Sequence, residues 1–382
     1  MTIIVLILFS LFPIISIPLI IFLYFKDSKH RILYSILLGL VLGIVNYYYL
    51  PATDYDLYRH HLNVIEYMNM SISTFISTIF SESEPIHHTI KYIVSLTGNV
   101  DLLQFFVTSI SFMIFFGIIG DYARRINLRI RYFILVLIFT FTSINLLYMF
   151  SGLWNQLAML VFALGYYLLK IEKGSKLLNY IIIISSILIH SSMIFPIVIL
   201  LLFKLFKEKL SFSFLITVLI VFLFPSTLLV FINAISDISV FSQIQAMYEA
   251  YFSQNDRFFV FYGGKILIME ISKLLFYFLL YFFYGKNKNK NHVFCIILAL
   301  SILLLTINSI VFVRFTFLLQ IIGSLFIMDY FKNKKPNSIV VLYIIIATTL
   351  FFIFQISQLN GMNFGSLFPN DLFKNIFMIF NK

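Results

Sequence analysis

Long apolar runs separated by short polar connectors dominate the chain. The runs fall at about 2–25, 32–50, 101–120, 132–150, 153–169, 177–203, 211–235, 265–284, 293–313, 315–331 and 338–357. Most approach the roughly 20 apolar residues that a helix needs to cross a bilayer. They are too long to be outer-membrane barrel strands, which alternate over about ten residues. The run 177–203 is long for one helix and carries lysines at both ends. Two short helices turning near His190-Ser191-Ser192 return the chain to the side it came from. The pattern therefore predicts an all-α polytopic membrane protein of about twelve membrane helices, two of them short and paired in this hairpin. A turn at membrane depth is tolerated only where protein or a water-filled cavity satisfies its backbone, so the turn is a candidate site. No repeat of fixed period and no low-complexity linker divides the chain, which reads as one membrane domain, 1–382. The first run has neither a charged leader nor a small-residue cleavage site and is expected to be a retained span.

Composition agrees. Of the 382 residues, 61% are hydrophobic and 11% charged, against roughly 45–50% and 25% in soluble domains. So few charges cannot cover a globular surface, which excludes a soluble enzyme. The single cysteine, Cys295, excludes an internal disulfide and a cysteine-based metal site.

The net charge of +11 raises the question of nucleic acid, and the placement of the charges answers it. Basic residues collect in six connectors: Lys26/Lys29/Arg31, Arg124/Arg125/Arg129/Arg131, Lys170/Lys173/Lys176, Lys204/Lys207/Lys209, Lys286/Lys288/Lys290 and Lys332/Lys334/Lys335. Cytoplasmic loops of membrane proteins gather Lys and Arg, and all six are cytoplasmic if the N-terminus starts outside. That side then holds nineteen basic and five acidic residues, a balance of +14. The outer side holds eight and eleven, a balance of −3. The charge is an orientation signal; no nucleic-acid partner is expected.

The cytoplasmic connectors are too short to build a site. Two outer segments are long, 51–100 and 236–264, and an outer tail covers 358–382; long loops in a minimal bundle usually carry function. The active face is therefore expected to be extracytoplasmic. The first loop opens on Pro51-Ala-Thr-Asp-Tyr-Asp-Leu-Tyr-Arg-His-His61, where Asp54 and Tyr58, and Asp56 and His60, are each spaced i, i+4 on a new helix. With Arg59 they form the densest polar cluster in the chain, suited to acid–base work or to holding sugar hydroxyls. Farther along, Pro85 suits a helix start with Glu84 beside its positive end, followed by His87, His88 and Lys91. Adjacent histidines diverge on a helix, and no zinc-protease motif is present, so no metal site is expected. His190 in the hairpin turn is either a satisfied core group or a proton acceptor near neutral pH. Asn155 and Gln156, opening a span, either bridge helices or bind sugar. Arg257, in the second loop, and Arg314, placed at the outer turn of an apolar hairpin, suit anion binding. Lys265 and Lys273 flank the ninth span's outer half, and Glu270 pairs with Lys273 at i, i+3. The spans hold too few other carboxylates for an ion-coupled pathway.

In order and spacing these motifs resemble the EpsG-type and Wzy-type polymerases of O-antigen, capsule and exopolysaccharide synthesis. Asp54, Tyr55 and Tyr58 match the Asp-Tyr-x-x-Tyr start of the first outer loop. Glu84-Pro85-Ile86, Asn155-Gln156-Leu157-Ala158, Ile189-His190-Ser191-Ser192 and Arg314 match the elements that follow. An arginine common before the Gln-x-x-Ala stretch is replaced here by Trp154-Asn155, which leaves Arg257 or Arg314 to grip phosphate.

The resemblance implies joining of oligosaccharide repeat units at the outer leaflet of a bacterial plasma membrane, on an architecture like that of type C glycosyltransferases. The growing glycan would be carried on undecaprenyl diphosphate, and a chain-length regulator or other assembly protein is a possible partner. Asp54, Asp56, Glu84 or His190 would supply the base. Arg257 and Arg314, with Arg59, would meet the leaving diphosphate, while Tyr58, His60, His87, Asn155, Gln156 and Lys265 would bind substrate. No cofactor is expected, and there is no nucleotide motif. The rival readings are a flippase for the lipid-linked oligosaccharide, which should show two similar halves, and a ligase for finished glycan.

Overall fold

The structure, a computed structural model, describes residues 2–48, 55–79, 82, 84–206, 257–284, 290–304, 309–333 and 336–359. All regular structure among the described residues is helical. The first apolar run is not one span. It forms α1 (Thr2–Leu11) and α2 (Ile17–Lys26), separated by a turn through Pro13. Proline lacks the N–H that continues a helix, and its ring clashes with the carbonyl four residues back. Here Ser16 closes the turn by donating to the Pro13 carbonyl at 2.6 Å.

Helix α3 (Arg31–Tyr47) leads to the first outer segment, which folds as α4 (Tyr55–Met68), α5 (Ile72–Ile79) and α6 (Pro85–Ser95). Then come α7 (Leu102–Arg125), α8 (Ile130–Ser143), the short α9 (Leu146–Ser151) and α10 (Leu153–Lys170). The expected hairpin follows: α11 (Lys176–Ile189), a tight turn at Ser191–Met193, and α12 (Ile194–Leu205). The described chain resumes with α13 (Arg257–Tyr284), α14 (Lys290–Leu304), α15 (Ser309–Asn333) and α16 (Ser338–Leu359).

Two boundaries differ from the hydropathy reading. Helix α13 already begins at Arg257, so the end of the second outer loop is helical. Arg314 lies within the second turn of α15 rather than in a connection. Ile310-Val311-Phe312-Val313 continues the apolar helix up to it, and a long cationic side chain can leave a helix and reach a polar region.

By length and composition, three helices among the described residues can cross a membrane: Leu102–Arg125, Phe312–Asn333 within α15, and Ser338–Gln355 within α16. Seven shorter apolar helices accompany them among the described residues. Helix α15 is the hub, 94% buried over its apolar window, and packs against α7, α8, α10, α13 and α14. In α16 the share is only 28%, with Ile339, Leu342, Ile346 and Leu350 facing outward. Such an apolar exterior suits lipid.

The tightest pair is α3 on α7. At Gly43 an added Cβ would lie 1.9 Å from Ser109 Oγ and 2.7 Å from the Phe105 carbonyl. At Gly39 it would lie 2.7 Å from the backbone of Met113 and of Ser109. Two small residues four apart let the helix backbones meet, a common device between membrane helices.

Basic helix ends gather at one end of the bundle. Lys170 donates to Asp329 at 2.9 Å, His292 lies 3.2 Å from the same carboxylate oxygen, and Tyr122 donates to its other oxygen. Asp121 accepts from Tyr167 at 2.5 Å and from Arg124 and Arg125. The buried Asp329 and the half-buried Asp121 thus tie α7, α10, α14 and α15 together beneath the lysines and arginines.

Candidate active site

At the opposite end of α10, the start of α6 meets the hairpin turn. Pro85 opens α6, and Glu84 stands at its N-terminal boundary. The Glu84 carboxylate does not cap its own helix; it reaches across the bundle. Oε1 accepts from the Ser191 backbone N–H at 2.8 Å and from Ser191 Oγ at 3.0 Å, and lies 3.5 Å from His190 Nδ1. Oε2 lies 2.9 Å from His87 Nδ1. One carboxylate therefore joins α6 to a turn 107 residues away.

Histidine 87 completes a carboxylate–imidazole pair. Burial pushes its pKa down to about 3, although the Glu84 hydrogen bond opposes this. The ring is therefore neutral near pH 7, donating Nδ1–H to Glu84 and leaving Nε2 as an acceptor. Burial also opposes ionisation of Glu84, but the hydrogen bonds from His87 and the Ser191 N–H, with His190 alongside, outweigh it and hold the pKa down to about 2. The result is an ionised carboxylate orienting a neutral imidazole, with the far ring nitrogen left as an acceptor.

A ring wall stands beside this pair. His87 lies 4.1 Å from the Trp154 ring and 5.4 Å from the His60 ring, with His60 and Trp154 6.0 Å apart. His60 Nδ1, His87 Nε2 and Trp154 Nε1 are buried and have no hydrogen-bond partner among the described residues. A buried polar group left unpaired costs about 1–3 kcal/mol, and three such groups fall in this one cluster. Burial first, and then the neighbouring Lys91 charge, keep His60 neutral.

Hydrophobic spacing in α4 explains why His60 faces inward. Leu57, His60, His61 and Val64 form a buried stripe at i, i+3, i+4 and i+7, with Tyr58 and Arg59 on the exposed side. Tyr58 is thus turned away from the cluster, at 48% exposure. The Arg59 charge still acts on His60 and Lys91. His61 lies 3.9 Å from Asp101 and is not part of the cluster. His88, by contrast, stacks on His87 at 4.8 Å while contacting Tyr67 at 2.5 Å and Glu82 at 3.4 Å, so the adjacent histidines do not diverge as expected.

Helix α10 contributes Asn155, whose Oδ1 accepts from Ser192 Oγ at 3.2 Å and holds the other edge of the turn. Ser192 N–H donates to His190 Nδ1 at 3.2 Å, which orients that ring. Gln156, a helical step away, faces another space. With Glu270, Lys273 and Thr316 it lines a cavity of about 10 Å³, roughly one water in size. There Lys273 donates to Glu270 at 2.5 Å, and Thr316 donates to the other carboxylate oxygen. Arg314, on the same helix as Thr316, is half-buried and close enough for its charge to act on His190.

The structure therefore brings Glu84, His87, His60, Asn155, His190 and Arg314 to one end of the bundle, places Gln156 in the adjoining cavity, and leaves Tyr58 outside. Asp54 lies outside the described residues, as do the side chains of Asp56, Arg257 and Lys265 and most of the second outer loop and the tail. Sequence reasoning passed over three members. Trp154, the only tryptophan in the chain, lies against both histidine rings. Ser191 holds Glu84. Lys91, 2% exposed, donates to Asn63 at 2.8 Å, and burial brings its pKa down to about 7. A lysine three residues past His88 was the available signal.

Comparisons with curated proteins and with solved structures find no match. A family model does match, over residues 36–369, a stretch that contains every element of the cluster just described. The chain is a member of the EpsG family.

Proposed function

We propose that this protein joins lipid-linked oligosaccharide repeat units into O-antigen, capsule or exopolysaccharide on the extracytoplasmic face of a bacterial plasma membrane. Family membership supports a polymerase role in repeat-unit polysaccharide assembly. The observation that carries the chemistry is Glu84 binding His87 with one oxygen and the His190–Ser191 turn with the other. His87 Nε2 takes the proton of a sugar hydroxyl on the acceptor unit. The hydroxyl oxygen attacks the anomeric carbon of the donor glycan. The bond from that carbon to the diphosphate breaks, and its electron pair leaves with undecaprenyl diphosphate. Arg314, with Arg59 and Lys91, meets the charge that builds on the leaving group. His60, Trp154, Asn155 and His190 hold the sugar rings and hydroxyls. Asp54, Asp56, Arg257 and Lys265, from the same outer segments, complete the proposed set.

The proposed orientation puts the lysine-rich end in the cytoplasm and this cluster outside. A polymerase also needs no cavity running through the bundle, unlike a flippase. Deleting the gene in its host and resolving the surface glycan on a gel tests the function. Single repeat units on the carrier or core support polymerisation; complete loss of surface glycan favours a flippase or a ligase and overturns it.

A further inference from the structure

At the lysine-rich end, far from the cluster above, lies a cavity of about 380 Å³ that no step of glycosyl transfer uses. It lies among the last turn of α10, the first turns of α11, the last turn of α12 and the start of α14. Lys170, Lys176, Lys204 and Lys290 line it, against one acidic residue, Glu172. Lys170 is buried against Asp329, whereas Lys176, Lys204 and Lys290 are exposed and come from three separate connectors.

Topology alone accounts for lysines at these helix ends, but not for their convergence on one concavity. Orientation needs charge on the correct side, and repulsion favours spreading it into solvent. The walls are also braced. Tyr166 donates to Asn291 Oδ1 at 3.1 Å, linking the end of α10 to the start of α14. Asn179 donates to the Lys173 carbonyl at 2.9 Å, fixing the turn between α10 and α11. That turn holds Glu172 at φ 52° and Gly174 at φ 77°. A non-glycine residue in this region is strained, and surrounding contacts must hold it there. Phe203, Leu200 and Tyr180 give the cavity an apolar side. Its volume falls within the range of about 300–1,000 Å³ typical of small-molecule sites.

We propose that this cavity binds a phosphate ester carrying at least two negative charges, its phosphates held by Lys176, Lys204 and Lys290 and its organic part lying against the apolar side. Charged hydrogen bonds from several ammonium groups suit phosphate, and the apolar side favours an ester over inorganic phosphate. A soluble phosphorylated metabolite and the headgroup of an anionic lipid share this chemistry.

The test uses the full chain, purified into phosphatidylcholine nanodiscs. Titration with fructose 1,6-bisphosphate, followed calorimetrically, reads the soluble source. Thermal shift in nanodiscs with and without cardiolipin reads the lipid source. Binding of either probe supports the site, provided Lys176→Gln, Lys204→Gln and Lys290→Gln together weaken it by about tenfold or more. A control set from the same end, Lys26→Gln, Lys29→Gln and Lys332→Gln, should leave it within about twofold. All six lysines are exposed, so both sets should fold. Failure of both probes to bind overturns the proposal. So does equal weakening by the control set, which would mean a diffuse basic field. Neither result bears on the polymerase reading, whose test is the surface glycan.

Discussion

Glu84→Gln keeps the volume of the side chain and removes its charge, which makes it the most informative single change. The Glu84 pKa falls from 4.5 in the unfolded chain to about 2 in the folded one. At about 1.4 kcal/mol per unit, ionised Glu84 contributes roughly 3.5 kcal/mol of stability. A group with a depressed folded pKa gives its full contribution above the unfolded value and loses it as pH falls through the folded one. The stability gap between wild type and variant should therefore be constant above pH 4.5 and shrink toward pH 2. Glutamine can still accept from Ser191, so the hairpin turn persists. It cannot accept from His87 Nδ1–H through its amide nitrogen, so the imidazole loses its orientation. Catalysis should fall by about a hundredfold or more, the usual worth of a positioned base. The assay is polymer formation from purified lipid-linked repeat units, read as a ladder on a gel, with thermal unfolding of the same preparations across pH. A variant that polymerises within about threefold of wild type while remaining folded would refute the Glu84–His87 pairing as the catalytic element.

Other outcomes follow from the same geometry. Arg314→Ala should reduce polymer formation by about a hundredfold with little loss of fold, as for removal of a group that stabilises charge in a transition state; unchanged polymer length and amount would remove Arg314 from the diphosphate site. Lys91 has a folded pKa of about 7 against 10.5 unfolded, so the unfolded chain holds more protons between these values. Wild-type stability should rise with pH across that window, by up to about 1.4 kcal/mol per unit. Lys91→Met should flatten the rise, and parallel melting profiles for the two proteins would contradict the burial of this amine. Gly43→Leu should cost several kcal/mol or abolish folding, because its first side-chain atom already meets Ser109 and Phe105. Gly117→Ala, with nothing within 4 Å of the added Cβ, should be neutral or slightly stabilising. Size-exclusion profiles of the two glycine variants that did not differ would discredit the α3–α7 packing.

Local features of the cluster were legible along the chain. Pro85 does start a helix with Glu84 at its boundary, because proline's fixed φ and missing N–H suit only a first turn. The run 177–203 does break at His190, as lysines at both ends required. Spacing was less reliable where a competing stripe existed. In α4, the i, i+4 pairing of Tyr58 with Asp54 suggested a functional face, but Leu57 and Val64 set which side turns inward, and His60 goes with them.

What the amino-acid sequence determined by itself was the helical membrane class, the hairpin and the polar residues available at the outer segments. Those follow from short-range physics: the length of apolar runs, the side preference of lysine and arginine, and the conformational limits of proline. The tertiary structure alone decided which polar residues meet. Glu84 finds Ser191 across 107 residues, and the rings of His60, His87 and Trp154 meet, because α6 packs against α11 and the start of α10 comes alongside. Hydropathy does not encode such neighbours. Inside a bilayer nearly every helix face is apolar, so close packing at sites such as Gly43 and a few buried hydrogen bonds select the arrangement.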